Sequence, residues 1–137
     1  MKVILDTNVV LDTLMKREGL FQAAYEVVKL SIQNKIQALL PASVITDIHY
    51  IMSQSDKTQA RPVLEQFVGL IAVCDVTPAD VGAAFASEMD DFEGAVLAAV
   101  AARVHADYIV TRNKRDFVKS PVPVATPEEL LALCAGL

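Results

Sequence analysis

The sequence predicts an α/β domain, in which a central, mainly parallel sheet of about five strands lies between two layers of helices. Three observations carry this reading. Short apolar runs alternate with longer segments of helical periodicity along the whole chain. Three of those runs, KVIL at 2–5, LIAVCDV at 70–76 and ADYIVT at 106–111, are apolar at nearly every position, as parallel strands covered on both faces must be. No repeat, low-complexity linker or composition boundary interrupts the 137 residues, a length that suits one domain burying about two-thirds of its unfolded surface. Residues 1–137 are therefore expected to form a single domain.

The elements follow in order. KVIL is the first strand, and a helix is expected over 9–16, with a second over 20–34. IQALLPA at 36–42 reads as the next strand. In SVITDIHYI, Ile45, Ile48 and Ile51 share one helical face and predict a helix over 43–53. A further helix over 57–69 contains Pro62, which starts or kinks it. After the strand at 70–76, Thr77 and Pro78 combine an N-cap hydroxyl with proline at N1 and open a helix over 78–88. The small-residue stretch at 92–105 suits a helix packed closely on a sheet, with Asp90 as N-cap and Glu93 at N3. ADYIVT and then VPVA at 122–125 are the last strands. Thr126, Pro127 and Glu129 form a capping box that starts a helix over 127–135.

Composition narrows the function. Hydrophobic residues make up 53% of the chain and mean hydropathy is +0.39, yet no apolar run approaches the ~18 residues of a membrane span. Met1 and Lys2 lead directly into a strand-like run, without the apolar region and small-residue cleavage site of a signal peptide. Cys74 and Cys134 have neither zinc-site nor C-x-x-C spacing. A soluble cytoplasmic protein with reduced thiols is the expectation. A net charge of −5 argues against broad electrostatic binding to nucleic acid. Locally, however, Arg112, Lys114, Arg115 and Lys119 place four of the twelve basic residues within eight positions, either a solvated loop or a contact for phosphates.

In a doubly wound sheet, ligands bind at the carboxyl ends of the strands. Asp6 ends the first strand and Asn8 follows it, although Asn8 can equally cap a helix and Asp6 can serve loop amides. Asp12 is expected in solvent. Asp47 lies in the first turns of its helix, where it also suits the helix dipole. Asp91 stands in the acidic entry EMDDFEG, and Thr111, Asn113 and Asp116 follow the fourth strand, with Asn113 also suited to cap a short turn. Each acid alone is weak evidence. Together, Asp6, Asp47, Asp91 and the pair Asn113 and Asp116 come from four segments that the sheet would bring to one crevice. Clustered carboxylates repel one another unless they are protonated or neutralised, and hard oxygen donors favour Mg²⁺ or Mn²⁺. A cation held there would activate water and neutralise phosphate charge.

The ordered set VILDTNVVLD, SVITDIHYI, DDFEGAVLAAVA, ADYIVTRNKRDF and VPVATPEELL resembles the PIN domain family, above all the compact bacterial members related to VapC-type toxins. The resemblance covers nearly the whole chain. It implies a PIN-like three-layer α/β/α fold and a metal-dependent endoribonuclease that leaves a 5′-phosphate and a 3′-hydroxyl. By this match Asp6 is the principal metal carboxylate, supported by Asn8 and Thr111. Asp47 holds a second acidic position, and Asn113 and Asp116 belong to a further one. A segment from Arg112 to Lys119 would guide RNA. If the chain is a toxin, an antitoxin should cover the crevice, and the apolar excess suits a homodimer. One departure stands out: relatives commonly read D-F-E-D-A where this chain has Asp91, Phe92, Glu93, Gly94 and Ala95. Gly94 has no side chain to ligate with. Asp91, one helical turn earlier, compensates, or the site is weakened and the chain is a degenerate PIN scaffold that binds RNA or protein. The other enzyme considered, a haloacid-dehalogenase-like phosphatase, needs an acid two positions after its nucleophile, and position 8 is Asn8.

Overall fold

The computed structural model describes residues 1–137. Strand β1 (Lys2–Leu5) runs into helix α1 (Thr7–Leu14), then α2 (Phe21–Ile32) and strand β2 (Gln37–Pro41). A short 3₁₀ turn (Ala42–Val44) precedes α3 (Ile45–Ser55) and α4 (Ala60–Leu70), which lead to β3 (Ala72–Cys74). Helices α5 (Pro78–Ala86) and α6 (Phe92–Arg103) return the chain to β4 (Tyr108–Val110). A 3₁₀ turn (Lys114–Phe117), β5 (Val124–Ala125) and α7 (Pro127–Leu133) complete the fold.

Every strand pair is parallel, in the order β3-β2-β1-β4-β5. The chain moves outward from β1 through β2 to β3, then crosses back to β4 on the other side of β1. Right-handed crossovers put helices of opposite travel on opposite faces. Contacts agree: α5 pairs with α6, while α1, α2, α3, α4 and α7 are linked to one another. The result is the three-layer α/β/α arrangement expected. Central strands β1 and β4 bury Val3, Ile4, Leu5, Ile109 and Val110 completely.

Several details differ from the sequence reading, each for a local reason. The helix expected from residue 9 begins at Thr7, because the Asp6 carboxylate accepts the Thr7 N–H and acts as N-cap. The run at 70–76 contracts to β3, whose Ala72 and Val73 are exposed; as an edge strand it has only β2 beside it. Helix α4 starts at residue 60, since the Asp56 side chain already takes the N–H groups of Thr58 and Gln59. Pro62 then lies in the first turn of α4, where a missing N–H breaks no intrahelical bond. The cap of α6 is Asp91, not Asp90: Asp91 is extended, at φ −85° and ψ 112°, and its carboxylate accepts the Gly94 N–H. Asp12, expected in solvent, is completely buried. The expected capping box of Thr126 with Glu129 forms, and Thr77, expected only as an N-cap, makes a second box with Asp80.

Candidate active site

The sheet order reverses at β1, so the loops leaving β1 and β4 part from each other and open a crevice at the carboxyl ends. Backbone pairing carries on past the strand, with the Asp6 N–H donating to the Val110 carbonyl at 3.0 Å. Asp6 Oδ1 accepts the Thr7 N–H at 2.7 Å. Its Oδ2 accepts from Thr111 Oγ1 at 2.7 Å and Asn8 Nδ2 at 3.2 Å. Thr111 Oγ1 in turn accepts from Asn8 Nδ2 at 3.1 Å and the Asn113 N–H at 3.0 Å. That saturates one hydroxyl donor and two acceptor lone pairs. Asn8 Oδ1 closes the network by accepting the Arg112 N–H at 3.1 Å. Asp6 is thus held in one orientation by both central loops, and Asn8 bridges them instead of capping α1.

A hollow of about 550 Å³ opens beside this network. Of the residues singled out from sequence, Asp6, Asn8, Asp47, Asp91, Asn113 and Asp116 line it. Thr111 lies buried behind Asp6. Asn113 occupies the N-cap position of its 3₁₀ turn but makes no side-chain cap bond. Sequence reasoning gave no site role to three further lining residues, Glu93, Tyr50 and Arg17. Glu93 had been given a capping role, and only its place beside Asp91 pointed elsewhere. Tyr50 lies three residues after Asp47 and so shares its helix face. Nothing local marks Arg17.

The acids press on one another. Burial pushes the Asp6 carboxyl above its ordinary range and outweighs the Thr111 and Thr7 hydrogen bonds that oppose it; repulsion from Asp91 and Asp116 adds to the rise. Desolvation raises Glu93 as well, followed by repulsion from Asp6 and Asp47. No group of three or more His, Cys, Asp or Glu side chains is placed to hold a metal ion without rearrangement. The donor chemistry does fit a hard divalent cation: five carboxylates and two side-chain amides line the hollow, with no thiol or imidazole.

Gly94 explains how Asp91 sits. A Cβ at position 94 would lie 2.9 Å from Asp91 Oδ2 and 3.4 Å from the Phe117 ring. The Asp91 carboxylate therefore occupies the space that any side chain at 94 would enter. The two cannot both be accommodated without one moving.

The basic segment is partly committed within the chain. Arg112 directs Nε to Asp12 Oδ2 at 2.5 Å and Nη2 to Oδ1 at 3.3 Å. Lys114 Nζ pairs with Glu129 at 3.0 Å. Arg115 and Lys119 remain exposed on the rim of a neighbouring hollow that also includes Asp91 and Asp116.

A profile of the PIN domain matches residues 2–115. The chain belongs to the PIN domain family. It is similar to Ribonuclease VapC1 of Aquifex aeolicus (strain VF5), 24% identical over 133 residues that span 93% of this chain and 92% of the relative. Among solved structures of the same fold is VapBC2 from Rickettsia felis bound to a DNA fragment from their promoter, with a TM-score of 0.73 at 18% identity over 92% of this chain and 98% of that one. FitAcB from Neisseria gonorrhoeae superposes with a TM-score of 0.68 at 16% identity, over 92% and 98% of the two chains. In this PIN domain chain, no helix is long and apolar enough to cross a membrane.

Proposed function

We propose that the chain is a divalent-metal-dependent endoribonuclease and the toxin of a toxin–antitoxin pair. The observation that carries this reading is the convergence of Asp6, Asp47, Asp91, Glu93 and Asp116 on one hollow of a PIN domain, where mutual repulsion is left without an internal cation close enough to relieve it. Asp6, Asp91, Asn113 and Asp116 would hold Mg²⁺ or Mn²⁺, with Asp47 and Glu93 completing the acidic wall. A bound divalent cation supplies an activated water and neutralises charge that builds on a phosphodiester. Thr111, Thr7 and Asn8 fix Asp6, so a ligand whose charged form burial disfavours does not swing away. Leu11, Ile51 and Phe117 add apolar wall to the hollow.

RNA and an antitoxin are the partners this reading requires, the antitoxin covering the crevice with a cationic or amide-bearing segment. The relatives support it: one is named a ribonuclease and the solved structures include VapBC2 and FitAB bound to DNA. The phosphatase reading fails on Asn8, which spends its amide bridging Asp6 and Thr111. A degenerate scaffold is the second reading, and Gly94 is the observation that favours it. Incubation of labelled RNA with the chain in Mn²⁺, Mg²⁺ or EDTA separates the two. Cleavage that needs metal and disappears in Asp6→Asn supports the enzyme; RNA binding without cleavage in any metal leaves the scaffold.

A further inference from the structure

The hollow has a second kind of wall besides its acids. Arg17 is the one Lys or Arg among its fourteen lining residues, and the chain holds it at both ends. Its N–H donates to the Asp12 carbonyl at 3.2 Å, and its own carbonyl accepts from Leu20 at 3.1 Å and Phe21 at 2.8 Å, at the start of α2. Its Nη1 stands 3.3 Å from Asp12 Oδ1. Asp12 is completely buried and bonds Arg112 through both oxygens, so two guanidinium groups share one carboxylate. One positive charge of that group is left without a counter-charge. The Arg17 side chain, 33% exposed, makes no ion pair with any acid of the hollow; with Nη1 on Asp12 and Nη2 3.9 Å from Met15 Sδ, three of its five N–H groups are left for phosphate oxygens.

Tyr50 lines the same hollow from α3, three residues after Asp47, and is 64% exposed. A large aromatic ring left in water on the wall of a hollow offers a flat stacking surface of the sort that binds unpaired bases. Bases in an A-form duplex are stacked in the helix and cannot reach such a ring.

We infer that Arg17 and Tyr50 form a nucleotide subsite next to the acidic centre, Arg17 taking a backbone phosphate and Tyr50 stacking a base of the same strand. Asp12 is the positioning residue of this subsite. The inference rests on the ribonuclease reading and adds two substrate-contacting residues to it. It adds a phosphate contact to those open to Arg115 and Lys119, the cations of the basic segment without an ion pair, at a residue that no local motif marks.

The test measures binding of a short fluorescent RNA by anisotropy at several salt concentrations, in an Asp6→Asn background so that nothing is cleaved, with thermal melting to establish that each variant is folded. Arg17→Gln should lower the slope of log affinity against log salt by about 0.7, the share of one phosphate contact on a single strand, and Arg17→Lys should restore it. Tyr50→Ala should weaken single-strand binding by about tenfold, while Tyr50→Phe keeps it. The same RNA annealed to its complement should bind more weakly and be indifferent to Tyr50→Ala. Folded Arg17→Gln and Tyr50→Ala proteins with unchanged slope and affinity, or an equal loss on duplex and single strand, would overturn the subsite. Cleavage by the unmodified chain is scored separately. If the binding effects appear but metal-dependent cleavage does not, the subsite stands and the ribonuclease reading falls.

Discussion

Asp12 and Asp80 on the one hand, and Asp6 on the other, are carboxylates drawn into the same small protein, yet the partners that meet them differ. Asp80 is 2% exposed and bonds Arg103 Nε through both oxygens at 3.0 Å. Burial pushes its carboxyl up, but the Arg103 and Thr77 bonds prevail and hold it below the ordinary range. Asp12 is likewise gripped by Arg112 and Arg17. Asp6 has only neutral donors, and its carboxyl is driven up. Guanidinium partners meet the two deeply buried carboxylates of the architecture, Asp12 and Asp80, and none meets Asp6 at the carboxyl end of β1. That difference is the physical basis for expecting an external cation there.

The largest expected effect comes from breaking the paired region. Asp12→Ala should cost about 3 kcal/mol in urea unfolding, the low end of the range for severing a buried ion pair, because both arginines are one-third exposed and can be rehydrated. A loss below about 1 kcal/mol would mean that the pair behaves as a surface bridge.

Asp6→Asn probes the other side of the comparison. Metal-dependent RNA cleavage should fall by at least about 100-fold, equivalent to about 2.7 kcal/mol of barrier, while the pH dependence of stability changes. The folded-state pKa of Asp6 lies above its ordinary 3.8, so ionising it disfavours the native state; the penalty is absent below 3.8 and complete once pH exceeds the raised value. The stability of the Asn variant relative to the unmodified chain should therefore rise from acid toward neutrality. Asp80→Asn should show the opposite sign. Its folded pKa is depressed, so its contribution is present above 3.8 and disappears as pH falls through the lowered value. Matching pH trends for both variants would erase the distinction between the two regions.

A smaller effect is expected at the mouth of the hollow. Asp91→Ala should cost about 1 kcal/mol through loss of the α6 cap. Gly94→Ala should be close to neutral in the unmodified chain, since the gain in helix propensity is offset by displacing Asp91. In the Asp91→Ala background the same change should stabilise by up to about 1 kcal/mol. An additive pair would show that the two side chains do not compete for that space.

The smallest effect sharpens the assignment of the basic segment. Replacing Lys114 and Arg115 by Ala should leave the melting temperature essentially unchanged and reduce the salt slope of RNA binding less than Arg17→Gln does, because Lys114 already faces Glu129. A larger reduction from the segment would restore it as the main phosphate contact.

Local chemistry was enough to read much of this molecule from its sequence. The run KVIL and its terminal Asp6, the start of α5 at Thr77 and Pro78, and the capping box of Thr126 and Glu129 each depend on residues within one turn or one strand of each other. The alternation of strands and helices similarly fixed a parallel sheet, and with it the rule that placed the crevice at the strand ends. Tertiary packing decided the rest. The burial of Asp12 and its pairing with Arg112, 100 positions away, the exposure of β3 at the sheet edge, and the arrival of Arg17, Tyr50 and Glu93 in one hollow arise from segments distant in the chain. Periodicity and capping report free energies set by neighbours along the chain, whereas the charge and solvent a side chain meets are set by whichever segments the sheet order brings against it.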